Sequence, residues 1–90
     1  MKKREILEFD EELIDGGLEE WLPEEYEIIE ETQVGFDGEK GFCDYEVIIK
    51  RKFDGKFFKG FRTDFGMGNE EIDTEWKEVF QKPVTRFIYE

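Results

Sequence analysis

Carboxylates are the most abundant chemistry in this chain. Two acidic stretches, "DGEKGFCD" (37–44) and "NEEIDTE" (69–75), could set an Asp/Glu pair for acid–base work or hold a hard cation, which takes oxygen ligands. Neither has the Asp-x-Asp-x-Asp-Gly order of a calcium loop, so solvated charge is the stronger reading of both. The chain has no His, which removes imidazole acid–base catalysis and His metal ligation. The single Cys43 excludes a thiolate zinc site within one copy, forms no internal disulfide and suits a reducing compartment. No Gly-x4-Gly-Lys-[Ser/Thr] phosphate loop is present. Asp64-Phe65-Gly66 copies three letters of the kinase magnesium motif, without a His-Arg-Asp loop and in a chain far too short for a kinase. The chain therefore reads as a non-enzyme with no catalytic residue, no metal and no cofactor.

A second set of carboxylates suits binding. Glu19, Glu20, Glu24, Glu25, Glu27, Glu30 and Glu31 form a dense run. On a strand, alternate side chains recur every ~6.5–7 Å, close to the spacing of phosphates along a nucleic-acid strand. Such an array could occupy a basic channel of a nucleic-acid-binding host or defence protein, a CRISPR effector for example, by imitating the backbone. The plainer alternative is a solvated face that serves solubility.

The third group is "KRKFDGKFFKGFR" (50–62), which holds six of the thirteen basic residues. Lys50, Lys52, Phe57, Lys59 and Arg62 make a possible secondary surface, where aromatics would stack bases between cations. Lys59-Gly60-Phe61 matches the start of an RNA-recognition strand, but Arg62, Thr63 and Asp64 break the pattern. The competing reading makes the phenylalanines core and the charges a soluble hairpin shell that blocks edge pairing. Lys50, Lys52, Lys59 and Arg62 could also pair with the Glu24–Glu31 segment across a sheet, or let two copies associate as a homodimer.

Charge is spread unevenly. Residues 1–31 carry a net −10, 32–44 carry −2, 45–62 carry +4 and 63–90 carry −4, which sum to −12. This field opposes bare nucleic acid and anionic lipid and attracts basic proteins. No apolar run is long enough to span a membrane. The basic start Met1-Lys2-Lys3-Arg4 leads into Glu5, Glu8 and Asp10 rather than an apolar stretch, so no secretion signal is expected and the cytoplasm is the expected compartment.

The elements that must position these groups form a single domain, 1–90: an acidic, partly helical segment over 1–24 and a sheet over 25–90. Ile6, Phe9 and Leu13 recur at helical spacing, with Gly16-Gly17 as the stop. Residues 25–34 read as a strand and 35–41 as a glycine-rich loop. Asp54-Gly55 between two β-rich runs predicts a two-residue type I′ hairpin. It would pair Phe53 with Lys56, Arg51 with Phe58, Ile49 with Gly60 and Val47 with Arg62. Residues 66–73 read as a loop. Ile72, Trp76 and Phe80, at four-residue steps, fit a short helix, although Val79 and Phe80 could begin an extended stretch. Val84–Tyr89 reads as a last strand. The expected fold is α+β: a mainly antiparallel sheet of about four strands, a central hairpin turning at Asp54-Gly55, and one or two short helices. Ten Phe, three Tyr and two Trp supply a core that a hydrophobic content of 38% would otherwise leave thin.

Residues 45–90 resemble a group of small, uncharacterised bacteriophage and prophage proteins with a KR-x-x-DGK-[FY]-F hairpin and an EVFPK-x-VT-x-x-x-YE tail. The hairpin matches at Lys50, Arg51, Asp54, Gly55, Lys56, Phe57 and Phe58; the tail matches at Glu78, Val79, Phe80, Lys82, Val84, Thr85, Tyr89 and Glu90. Gln81 replaces the proline, which comes two residues later as Pro83. The resemblance implies a phage accessory protein in the host cytoplasm and assigns no mechanism. With the charge, it points to an acidic inhibitor or anti-defence protein. A self-associating assembly module is the first alternative, and a single-stranded nucleic-acid binder using the hairpin is the second.

Overall fold

The computed structural model describes residues 4–82 and 88–89, with backbone alone at 81, 82, 88 and 89. The chain is built on antiparallel strands: β1 (Ile6–Glu8), β2 (Leu13–Asp15), β3 (Tyr26–Asp37), β4 (Phe42–Arg51), β5 (Phe57–Asp64), β6 (Asn69–Ile72) and β7 (Glu75–Val79). The one helix among the described residues, α1 (Leu18–Trp21), is a single turn. The α+β expectation is thus corrected to a seven-stranded antiparallel sheet ordered β1-β7-β5-β4-β3, with β2 on β6 and β6 on β5. Neither α1 nor any other described element crosses a membrane as a helix.

In effect the sheet is five ribbons wide. β6 and β7 run in succession along one edge of β5, and β1 and β2 run along the far edge of that pair. The helix expected over the N-terminal segment is these two short strands. Leu7 and Ile14 are buried while Ile6 and Leu13 face out, an alternation of period two. A lone helix this short is marginal in water, and pairing with β6 and β7 satisfies the same backbone groups while burying Leu7 and Ile14. The helix expected over 72–80, and the loop expected over 66–73, are also largely strand. A four-residue step is close to a helical turn and is also an even number, so Ile72 and Trp76 share a face in either conformation. Their neighbours decide it: Glu75 and Lys77 are exposed and Trp76 and Glu78 buried.

The central hairpin forms, but its turn is wider than expected. Lys50 pairs with Phe57, Ile49 with Phe58 and Val47 with Gly60, a shift of two residues from a two-residue turn. The Arg51 N–H donates to the Lys56 carbonyl and the Gly55 N–H to that of Arg51, enclosing the four residues 52–55. Gly55 takes φ +73°, the left-handed value the loop needs, and the Asp54 carboxylate accepts the Lys56 N–H. The β3–β4 loop, 38–41, has the same form, with Asp37 as acceptor and Gly41 at φ +72°. A shift of two preserves parity, so residues that a two-residue turn would place on one face still share it.

Val47, Ile49 and Phe58 lie fully buried on the inner face. They pack with Leu7, Ile14, Ile72, Trp76 and, from α1, Leu18. Phe9 meets Trp21, Tyr26 and Trp76 edge-on at ring distances of 5.1, 6.0 and 6.1 Å. Trp76 occupies the space left by Gly60: a Cβ there would sit 2.3 Å from the indole. The ladder between β5 and β6–β7 breaks at this point. Asp73 bridges the gap, accepting the Phe61 N–H on its carboxylate at 3.1 Å and donating its own N–H to the Phe61 carbonyl. Burial raises the Asp73 carboxyl above its ordinary range, although the Phe61 bond opposes it. The Trp76 Nε1–H donates to the Asp73 carbonyl at 2.7 Å, so the ring is held at both ends. The strand expected over Val84–Tyr89 lies outside the described residues except Ile88–Tyr89 (β9), which pairs with Gln81–Lys82 (β8).

Gly60→Ala should cost at least about 1–3 kcal/mol, the usual penalty of an overpacked core, because the opposing atoms belong to a fixed ring. Urea unfolding followed by Trp fluorescence measures it; an unchanged midpoint would mean that Trp76 does not lie on Gly60.

Candidate functional site

Two arginines of the hairpin, Arg51 and Arg62, close the two ends of the inner face. Arg51 sits at the end of β4, buried, with its guanidinium 4.8 Å from the Phe53 ring centre and 5.1 Å from that of Phe58. It donates to Glu5 at 2.6 and 2.9 Å and to Asp54 at 2.8 and 3.2 Å. Lys56 adds a bond to Glu5 at 3.1 Å. Glu5 is held in turn by β7: its N–H donates to the Glu78 carboxylate, and the Glu78 N–H to its carbonyl. Donation from Arg51, then from Lys56, lowers the Glu5 carboxyl to about 2. The same arginine holds Asp54 below its usual range.

Arg62 lies on the same face at the opposite end, 4.2 Å over the Tyr45 ring. One nitrogen donates to Glu31 of β3 at 2.7 Å and another to Glu70 of β6. Glu70 is buried, and its other oxygen accepts the Leu18 N–H at 2.8 Å. Leu18 is the first residue of α1, whose N-cap Gly17 offers no side chain, so β6 supplies the missing acceptor. Arg62 thereby ties β5, β3, β6 and α1 together.

The basic stretch is therefore largely neutralised within the protein. Arg51, Lys56, Lys59 and Arg62 all make ion pairs, Lys59 with Glu46 at 3.4 Å. The secondary surface is split. Lys50, Phe57 and Lys59 share the outer face, Lys52 lies in the loop and Arg62 points to the inner face. Of the hairpin phenylalanines, Phe58 is core, Phe57 half-buried, and Phe53 and Phe61 exposed. Of the expected pairs between the hairpin cations and the Glu24–Glu31 segment, the ion pair that forms is Arg62 with Glu31.

The acidic run is placed differently. Glu19 and Glu20 stand on α1, Glu24 and Glu25 on the turn after Pro23, and Glu27, Glu30 and Glu31 on β3, the last strand of the sheet. The even carboxylate spacing of a regular strand is interrupted by a bulge at Ile29. Ile28 pairs with Ile49 and Glu30 with Ile48, so Glu27 and Glu30 lie on the outer face and Glu31 is turned inward to Arg62. Glu19, Glu20, Glu24, Glu25, Glu27 and Glu30 are exposed, and none engages a cation among the described residues. α1, Leu22 and the start of β3 enclose a cleft of about 250 Å³ lined by Glu19, Leu22, Tyr26, Glu27 and Ile28. Glu19 and Glu27 belong to the run of carboxylates marked in the sequence; Leu22, Tyr26 and Ile28 pack against the core, which that run does not reveal. Among the described residues no three Cys, Asp or Glu side chains are grouped to hold a metal ion. Cys43 is half-buried and free.

Comparison with models of known families, with curated proteins and with solved structures finds no match.

Two outcomes test this electrostatic frame. The Glu5 pKa is depressed on folding, so its contribution is present above about 4.5 and is lost as pH falls towards about 2. Glu5→Gln should lower the melting temperature at pH 7 and flatten its fall over that interval, with the two proteins converging near pH 2; parallel melting curves would contradict the assignment. Arg62→Leu leaves Glu70 buried without its cation and should cost on the order of 3 kcal/mol in chemical denaturation, with Glu70→Gln in the same chain restoring part of it.

Proposed function

We propose that this is a non-enzymatic accessory protein that binds a basic surface on a nucleic-acid-handling protein through the carboxylates of α1, the following turn and β3. The observation that carries this reading is the contrast in pairing. The hairpin cations Arg51, Lys56, Lys59 and Arg62 are consumed by internal partners, while six exposed carboxylates of the α1–β3 corner have none among the described residues. The fold thus leaves this acidic corner available while it engages four of the six hairpin cations. Inhibition would be steric and electrostatic, and would weaken as salt screens charges over about 8 Å at physiological ionic strength. The resemblance of the hairpin and tail to phage proteins supports an anti-defence setting in the host cytoplasm. The bulge at Ile29 favours presentation of carboxylates as a patch over a regular imitation of a phosphate strand.

Direct nucleic-acid binding by the hairpin is the weaker reading, because Lys59 and Arg62 are already paired and Arg62 faces inward. Self-association keeps some support from the exposed edge of β3, where Val34 and Phe36 are 52% and 64% accessible.

Affinity capture from host lysate with a salt gradient tests the proposal. The expected result is a basic nucleic-acid-binding protein released by salt, displaced by DNA or RNA, and lost on Glu20→Lys, Glu24→Lys and Glu30→Lys together. Recovery of the chain alone, with a mass that rises with concentration regardless of salt, would replace it with the assembly module.

A further inference from the structure

We infer that the free edge of β3 pairs with the same edge of a second copy of the chain, antiparallel about a two-fold axis at Thr32. This goes beyond the function proposed above and does not depend on it. Among the described residues β3 ends the sheet, hydrogen-bonded to β4 alone, so one side of a twelve-residue strand is left open. The strands at the other margin, β1 and β2, have three residues each. The open edge is blunted against ordinary strands by two bulges and by Glu27, Glu30, Glu31 and Asp37. These features become compatible when the strand meets itself.

The register carries the argument. Ile29 and Glu30 together oppose Ile48, and Val34 and Gly35 together oppose Asp44, so the two bulges stand equally far from Thr32 on either side. Antiparallel pairing about Thr32 sets bulge against bulge: Ile29 opposite the second copy's Gly35, and Glu30 opposite its Val34. The faces agree as well. Ile28, Glu31, Gln33 and Phe36 pair with the inner-face residues Ile49, Val47, Tyr45 and Cys43 of β4, and Thr32 pairs with Glu46 on the outer face. Ile28 then meets the second copy's Phe36 and Glu31 its Gln33, inner side chain to inner side chain, while Thr32 meets Thr32, a favourable cross-strand pair. Moving the axis by one residue misaligns the bulges, and moving it by half a residue opposes inner side chains to outer ones. Glu30 and Glu31 each face an uncharged residue, and like charges meet only at the two ends, Glu27 with the second copy's Asp37. Phe36, exposed in one copy, gains Ile28, which packs against the core of the other. The pairing is isologous, so it closes at two copies and uses up the open edge.

Analytical ultracentrifugation of the intact chain tests the dimer. Two copies of net charge −12 repel each other, so added salt should tighten self-association, by at least about threefold between low and physiological ionic strength, whereas it releases a basic partner. Mixed labelled and unlabelled chains then test the register by NMR. Ile28 and Phe36 lie about 25 Å apart along one strand, so a nuclear Overhauser contact between them arises only between copies. Thr32→Glu sets two carboxylates opposite each other at the axis and should weaken the dimer at least about tenfold. Thr74→Glu, the same charge change at an exposed position away from the edge, should weaken it less than about threefold. A chain that stays monomeric at millimolar concentration in high salt would overturn the inference. So would a dimer that lacks the Ile28–Phe36 contact and tolerates Thr32→Glu as well as Thr74→Glu.

Discussion

The contact between Trp76 and Gly60 sets the geometry of the sheet. The indole is the largest fully buried side chain, and it fits only because the strand beneath it has no Cβ. Seating the ring interrupts the ladder along β5, and Asp73 repairs the interruption with one side-chain and one backbone bond to Phe61. The break lets β6 and β7 follow β5 as two short segments, which in turn offer two short segments, β2 and β1, the pairing that fixes the N-terminal chain. A chain of 90 residues has little core to spare, so one ring carries a large share of it.

The charge pattern follows from the same architecture. A sheet whose inner face must be covered by an acidic N-terminal third needs cations at its margins, and Arg51 and Arg62 stand at the two ends of that face. Each stacks on aromatic rings and joins carboxylates from elements distant in sequence. Two separate tethers thus hold the acidic segment on a basic hairpin. Six of the carboxylates left without a cation among the described residues lie on α1, the turn at Pro23 and the outer face of β3. The functional proposal rests on this division: four of the six hairpin cations are engaged within the fold, and the carboxylates of the acidic corner are left for the proposed partner.

The hairpin was legible because β-branched and aromatic residues flank a glycine-bearing turn, and its faces were legible because parity is insensitive to a shift of two. The turn length was not, since Asp54-Gly55 serves equally as the centre of a two-residue loop and the end of a four-residue one. The N-terminal and C-terminal helices were misread for a different reason. Ile72 and Trp76 sit four residues apart, a spacing that either period accommodates, while Leu7 and Ile14, seven apart, share the inner face because they lie on two separate short strands, β1 and β2; the neighbouring strands decided both. The acidic corner was legible as a run of glutamates. The bulge that turns Glu31 away from its neighbours had no local signal, because it follows from matching β3 to β4 over twelve residues.

The sequence by itself determined what is set by composition and local chemistry. It excluded imidazole and phosphate-loop catalysis, placed −10 of the net charge of −12 in residues 1–31, and marked the hairpin through its glycine. The tertiary structure alone decided which charges cancel. Pairing of Arg51 with Glu5 and of Arg62 with Glu31 and Glu70 spans separations no local pattern encodes. It also turned Glu31 inward to Arg62 while leaving Glu27 and Glu30 on the outer face, because the bulge at Ile29 shifts the register of β3 on β4.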